Sequence, residues 1–224
     1  MWVPAIKEEF QTLSENGTGE EVCFEEIPPN ATIYPSKMVL KKKRNSERTF
    51  TKAKGRLCAA ACVKRFGKLL SSVFAPTVNE KSLKLLFIIA ILFGLLLTGL
   101  DVKGAFLYPE LDDPVYISLP RSLTGNRTVY WRLNKTLYGL PQSPLAFYDD
   151  VSKLLLNHGY SRTIADPCTW FKREGNEFMM FVVHVDDFAI AASSKSLSDE
   201  LITVMKSRYT ITVDDHVVIL LRFV

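Results

Sequence analysis

Apolar positions recur along this chain with two periods, and the switches between them mark out the elements. Near the N-terminus Trp2, Ile6, Phe10 and Leu13 predict a helix over about residues 6–13, with Trp2 and Phe10 as anchors. The stretch Lys37-Met38-Val39-Leu40-Lys41 alternates as an edge hairpin would, with its tip near Asn45–Glu47. Leu145, Phe147, Tyr148, Val151, Leu154 and Leu155 return to helical spacing behind Ser143 as N-cap and Pro144 as first helical residue. Gly159 supplies the stop for that helix. Strands are predicted at Val115–Leu119, Val129–Leu133, Thr169–Lys172, Phe178–Val183 and Phe188–Ala192. A last helix begins near Ser196, where Asp199 completes a capping box and Leu197, Leu201 and Met205 share a face.

Residues 85–100 form a run of sixteen without a charge. A membrane-spanning helix asks for about 20 apolar residues. Gly94 and Gly99 also divide the run into a helix-length part and a strand-length part. The expected elements are a helix over about Lys81–Phe93, a turn, and a strand ending at Asp101. Membrane insertion through 85–100 is the competing reading of the same residues.

Three carboxylates then stand out by position. Asp101 closes one apolar strand, and the pair Asp186-Asp187 sits at the tip between two others. Acidic groups at the ends of apolar strands suit a positive ligand. Magnesium takes oxygen from carboxylates, water and substrate phosphates, and two such ions stabilise the attacking and leaving oxygens of phosphoryl transfer. The pattern points to a nucleic-acid polymerase core. The bland rival is an aspartate in a hairpin turn, where the residue type is common.

Charge adds a second clue. The whole chain of 224 residues carries a net charge of +4, yet the segment from Lys37 to Lys68 holds twelve Lys/Arg against the single acid Glu47. That asymmetry points to a polyanionic partner. The tetrad Lys41, Lys42, Lys43, Arg44 reads equally as a solvated face, a nuclear-localisation-like run or a phosphate contact. Four cysteines, Cys23, Cys58, Cys62 and Cys168, show no framework spacing, and reduced thiols in an intracellular protein are the simplest account.

Seven short motifs in order then carry a resemblance: Trp2-Val-Pro-Ala-Ile-Lys-Glu-Glu, Lys54-Gly-Arg-Leu, Phe74-Ala-Pro, Asp101-Val-Lys-Gly-Ala-Phe-Leu, Leu137-Tyr-Gly-Leu-Pro-Gln-Ser-Pro, Ala165-Asp-Pro-Cys and His184-Val-Asp-Asp. From Trp2 to about Tyr209 the chain resembles the reverse transcriptase of copia-type long-terminal-repeat retrotransposons, a domain of their Pol polyprotein. The resemblance implies an α+β right-hand polymerase fold with an antiparallel palm sheet and the thumb missing. It divides the chain into a basic fingers-like part (1–95), a palm-like catalytic part (96–209) and a divergent tail (210–224), as expected of a fragment or a decayed element.

The same resemblance implies residue roles. Asp101, Asp186 and Asp187 would be both the catalytic and the metal-binding residues, with Mg2+ as cofactor and Mn2+ as substitute. Arg56 would lie near the incoming triphosphate, Phe106 under the sugar, and Gln142 beside the nucleotide. His184, which replaces the usual tyrosine, would touch the primer end, and Lys41, Lys42, Lys43 and Arg44 would contact nucleic acid. Each of the nucleotide residues has a plainer alternative, Phe106 as a core aromatic above all. Pro141 and Leu145 stand where the family commonly has basic residues, and Phe147 replaces a usual tryptophan. The implied partners are an RNA or DNA primer–template, deoxynucleoside triphosphates and a partner chain supplying missing subdomains, in the cytoplasm (within a virus-like particle) or the nucleus. A catalytically silent nucleic-acid-binding remnant is the alternative function.

Overall fold

A computed structural model describes residues 1–45, 48–61 and 73–214 of the chain. The expected hairpin tip at Ser46 and Glu47, the thiol of Cys62, the bases Lys64, Arg65 and Lys68, and most of the tail lie outside the described residues. The architecture is α+β. The chain folds into two compact units that are interleaved in sequence: residues 1–74 with 106–146, and residues 75–105 with 147–224.

The first unit begins with α1 (Trp2–Glu15), then β1 (Gly19–Val22), β2 (Ile33–Arg44) and β3 (Phe50–Ala59). It is completed by β5 (Glu110–Ser118) and β6 (Tyr130–Lys135). Its five strands lie in the order β1-β6-β5-β2-β3. All pairs are antiparallel except β2 with β5, which run parallel with Tyr34 opposite Ile117. Leu13, Leu57, Ile117, Leu133, Leu137 and Leu140 form its core.

Strand β3 is an edge, and α1 covers it. Gly55 allows that approach, since a Cβ there would stand 3.2 Å from the Ala5 carbonyl oxygen. Glu9, on the buried side of α1, accepts the Leu57 N–H at 2.9 Å. Burial pushes the Glu9 carboxyl above the ordinary carboxylate range, despite the Leu57 N–H, Lys54 and Arg56, which pull the other way. An edge strand's open N–H is thus answered by a side chain.

The second unit holds α2 (Glu80–Phe93), β4 (Leu96–Val102), most of α3 (Ser143–Asn157), β7 (Ser161–Arg162), β8 (Thr169–Glu174), β9 (Glu177–His184), β10 (Asp187–Ala192), α4 (Lys195–Lys206) and β11 (Ile211–Asp214). Its sheet has the order β11-β4-β10-β9-β8-β7, and every neighbouring pair is antiparallel. Helix α2 matches the expected bounds closely: the Asn79 side chain caps its start and Gly94, at φ 62°, ends it in the left-handed conformation. At 14 residues it is about 21 Å long. No helix among the described residues is long and apolar enough to cross a membrane.

Alternation along the strands gives this sheet two distinct faces. Val182, Ala189 and Ala191 receive Leu83, Leu86 and Ala90 of α2. On the other face the Ser198 hydroxyl of α4 meets Thr98 at 3.4 Å, while Phe181 stacks between Trp170 and Phe188. Asp150 of α3 takes Arg208 in two hydrogen bonds and the Tyr209 hydroxyl in a third, which ties α3 to the chain just past α4.

Two helix starts differ from the sequence expectation. Ser143 is the first residue of α3 rather than its cap: the Ala146 N–H bonds the Gln142 carbonyl, and the buried Ser143 hydroxyl donates to the Leu137 carbonyl at 2.7 Å. The cap of α4 is Ser194, two residues before the expected Ser196, and Asp199 pairs with Lys195 instead of closing a capping box. At α3 the contact with the Leu137 carbonyl takes the hydroxyl a cap would use, and at α4 Ser194 caps the Leu197 N–H in place of Ser196.

Candidate active site

The acidic residues are assembled by the register of three strands. Asp187 opens β10 directly opposite Asp101 near the end of β4, and across the other edge of β10 it faces His184, the last residue of β9. Beyond Asp101, β11 places Thr212. Directly opposed residues of an antiparallel pair share a face, so Thr212, Asp101, Asp187 and His184 form one row across four strands. This is the face that α2 covers further along. Asp101, Asp186, Asp187 and His184 are all half-buried, while Thr212 is exposed.

Asp186 occupies the two-residue turn with Val185. Its carbonyl accepts the Val102 N–H at 2.8 Å, which fastens the hairpin tip to the strand end that carries Asp101. Val185 holds φ at 58°, in the left-handed region where a β-branched residue is strained. A tight turn whose first central residue has φ above zero normally takes glycine. The strain sits directly between His184 and the acidic pair. Strand β11 was not expected from sequence. It shields the outer edge of β4, with the Lys103 N–H bonded to the Thr210 carbonyl at 2.9 Å.

Among the described residues, no three His, Cys, Asp or Glu side chains gather into a ready-made metal cage. Magnesium does not need one, because it is usually held through one or two carboxylates with waters and substrate phosphates completing the octahedron. Asp101 and Asp187, opposed on adjacent strands with Asp186 next in the chain, are a donor set of that kind.

The expected nucleotide residues Arg56, Phe106 and Gln142 all belong to the first unit, where two of them meet one ring. Arg56 of β3 rests its guanidinium 4.8 Å from the centre of the Tyr138 ring. Phe106, in a single 3-10 turn (Ala105–Leu107), meets the same ring edge-on, with centroids 5.2 Å apart and an interplanar angle of 68°. The segment 138–142 carries Gln142 and is pinned to the end of β3 by the Ala59 N–H, which bonds the Tyr138 carbonyl at 2.8 Å. Arg56 Nε and Gln142 Oε1 are both buried without a hydrogen-bond partner among the described residues.

The basic residues divide by strand parity. Lys41 is opposite Lys54, Lys43 opposite Lys52, Val39 opposite Arg56 and Lys37 opposite Cys58, so one face of the β2–β3 ribbon carries six cations. Lys42, opposite Ala53, lies on the other face, and the register shifts between Lys43 and Arg44, which brings Arg44 opposite Phe50. Lys52 has an ion pair with Glu8 of α1.

Residues 23–219 match the family described as reverse transcriptase (RNA-dependent DNA polymerase). The chain belongs to that family. It is 31% identical over 200 residues to the retrovirus-related Pol polyprotein from transposon TNT 1-94 of Nicotiana tabacum, covering 88% of this chain and 15% of that protein. The Pol polyprotein from transposon RE2 of Arabidopsis thaliana is 29% identical over 212 residues, covering 94% of this chain and 14% of the relative. This reverse transcriptase chain therefore spans about one seventh of the length of these two relatives. By family it is an RNA-directed DNA polymerase, and the copia-type resemblance read from its motifs holds. Phe147 is buried and packs edge-on to Tyr209 at 5.8 Å.

Proposed function

We propose that this chain is the fingers–palm core of a copia-type reverse transcriptase, extending a primer 3′-hydroxyl with deoxynucleotides on an RNA or DNA template. The palm-like part, within 96–209, is the sheet of β4, β9 and β10. The fingers-like character of residues 1–95 resides in the β2–β3 ribbon. The tail expected over 210–224 begins with β11. The observation that carries the reading is the opposition of Asp101 and Asp187, with Asp186 fastened to β4 through the Val102 N–H.

In this reading Asp101, Asp186 and Asp187 hold two magnesium ions, with manganese as substitute. The bound ions supply charge neutralisation at the α-phosphate and lower the pKa of the attacking hydroxyl. The chain's own residues do the positioning. His184, in the same row, supports the primer end beside Asp187. Arg56 receives the triphosphate, Gln142 lies beside the nucleotide, and Phe106 closes the space a 2′-hydroxyl would need, which selects deoxynucleotides. The cationic ribbon face, with Lys41 and Lys43, follows the nucleic-acid backbone, and Lys42 and Arg44 extend that contact around the strand. The work is done in the cytoplasm, within a particle, or in the nucleus.

The test is magnesium-dependent extension of a DNA primer on an RNA template by the full chain, beside Asp186→Asn and Asp101→Asn. Extension that disappears in both folded variants supports the assignment; extension that survives either substitution removes it. A second reading, a silent nucleic-acid-binding remnant, rests on the six cations of one ribbon face, where like charges stand directly opposed in the pairs Lys41–Lys54 and Lys43–Lys52. Primer–template binding that falls steeply with salt, without extension, selects it.

A further inference from the structure

We infer that Tyr138 is the positioning residue on which the nucleotide subsite is assembled: its ring is the common support that sets the Arg56 guanidinium and the Phe106 ring at once. The inference rests on the reverse-transcriptase reading above and adds to it a residue that contacts neither metal nor template in that reading.

Three observations converge on this residue. Arg56 and Phe106 come from segments fifty positions apart in sequence, one on β3 and one in the turn after β4, yet both meet the same ring. The guanidinium at 4.8 Å is within cation–π range, and the edge-on Phe106 contact at 5.2 Å is the favoured arrangement for an aromatic pair. Together they join the cation and the two rings in one contiguous cluster centred on Tyr138.

The support is itself fixed. The Tyr138 carbonyl takes the Ala59 N–H, and the next residue, Gly139, adopts φ 87° hard against Ala59. The Leu137 carbonyl accepts both the Leu140 N–H and the Ser143 hydroxyl. A ring held this way leaves Arg56 and Phe106 little freedom to shift independently.

The buried, unanswered Nε of Arg56 fits this role. A guanidinium held through its face by an aromatic ring keeps its donors for a ligand, whereas one held by a carboxylate would spend them. Phe106 gains an orientation from the same ring, and a sugar-contacting ring needs a fixed orientation to discriminate a hydroxyl from a hydrogen. The support therefore links triphosphate affinity to sugar choice.

That link is a signature a merely structural role would not produce. The experiment measures capture of dGTP and of GTP, with magnesium, in a stable ternary complex of the full chain on a dideoxy-terminated primer opposite a template cytosine. No bond is made, so the readout is independent of turnover. Tyr138→Leu is expected to weaken dGTP about tenfold and, in the same variant, to narrow the dGTP-over-GTP preference by a similar factor. Arg56→Ala is expected to weaken both nucleotides without changing the preference, and Phe106→Ala to narrow the preference with little loss of dGTP. Tyr138→Phe keeps the ring and is expected to restore what Tyr138→Leu loses. Leu13→Ala, a core substitution remote in role, lowers the melting temperature without altering the preference. If wild type prefers dGTP and Tyr138→Leu changes neither quantity, the inference is overturned while the reverse-transcriptase reading stands. If Tyr138→Phe fails like Tyr138→Leu, the ring is not the support and the inference falls. If wild type captures neither nucleotide, the nucleotide-site reading itself fails and takes the inference with it.

Discussion

Replacing Gly139 by alanine tests how tightly the segment of residues 138–142 is built onto β3. Gly139 adopts φ 87°, and an added Cβ would lie 2.1 Å from the Ala59 carbonyl oxygen, 3.1 Å from its carbon and 3.2 Å from its nitrogen. Two costs combine. The left-handed conformation alone costs an alanine about 1–2 kcal/mol. The clash is with backbone, so it is relieved only by moving the segment away, which breaks the bond from the buried Ala59 N–H to the Tyr138 carbonyl. Leaving that donor unanswered costs about 1–3 kcal/mol more. The expected total is about 2–5 kcal/mol, a fall in melting temperature on the order of 10 °C for a chain of this length. Gly125 is the control: it has φ 65° in the same unit but nothing within 4 Å of its added Cβ. Gly125→Ala should therefore show only the conformational cost, about 1–2 kcal/mol. Urea unfolding followed by tryptophan emission compares the two. Equal destabilisation by both substitutions would refute the argument from close approach.

Further expectations concern other parts of the molecule. Val185→Asn places at φ 58° a residue that tolerates the left-handed region, and should raise the urea midpoint by the equivalent of about 1 kcal/mol; a lower midpoint would show that the turn is not strained. Glu9 has its carboxyl raised by burial, so its contribution to stability is fully present below the unfolded-state value of 4.5 and is lost as pH rises through the folded-state value. Glu9→Gln, which can still accept the Leu57 N–H, should accordingly be more stable than wild type at pH 8, with the gap closing as the solution is acidified towards pH 4.5; a gap that widens in acid has the wrong sign. On the outer face of α2, Ile91 and Leu92 are 78% and 73% exposed, so Ile91→Lys with Leu92→Lys should leave stability within about 0.5 kcal/mol and reduce light scattering at high concentration. Loss of folding in that double variant would show that the face is covered.

Local signals in the sequence were reliable where one residue had one role. Gly94 ends α2, Gly175 turns β8 into β9, and the acidic tip between β9 and β10 falls where the apolar runs place it. Signals failed where the deciding contact was distant. The hydroxyls of Ser143 and Ser194 were separable as helix residue and cap only through Leu137 in one case and the observed start of α4 in the other. The parallel pairing of β2 with β5 joins residues more than eighty positions apart, and no periodicity encodes it. Strand β11 is four residues long, too short for any pattern, yet it stands beside Asp101. Glu9 resembled any acid on a surface helix until the edge of β3 was seen beneath it, and Tyr138 resembled a core tyrosine within a motif.

The interleaving of the two units has a consequence for synthesis. When the first 74 residues have left the ribosome, β1 has no partner and β2 is paired on one side only, because β5 and β6 are still to be made. The strand that completes this first sheet, β6, ends at Lys135, about seventy-five residues after β3, a wait of several seconds at roughly 5–20 residues per second. During that interval α2 and β4 emerge, and they in turn wait for β9 and β10. The two units therefore cannot mature one after the other; each is left half-built while the chain supplies the other. A nascent chain of this kind exposes strand edges and apolar faces for longer than two consecutive domains of the same size would, and it makes translation rate and chaperone capture determinants of how much folded protein is obtained.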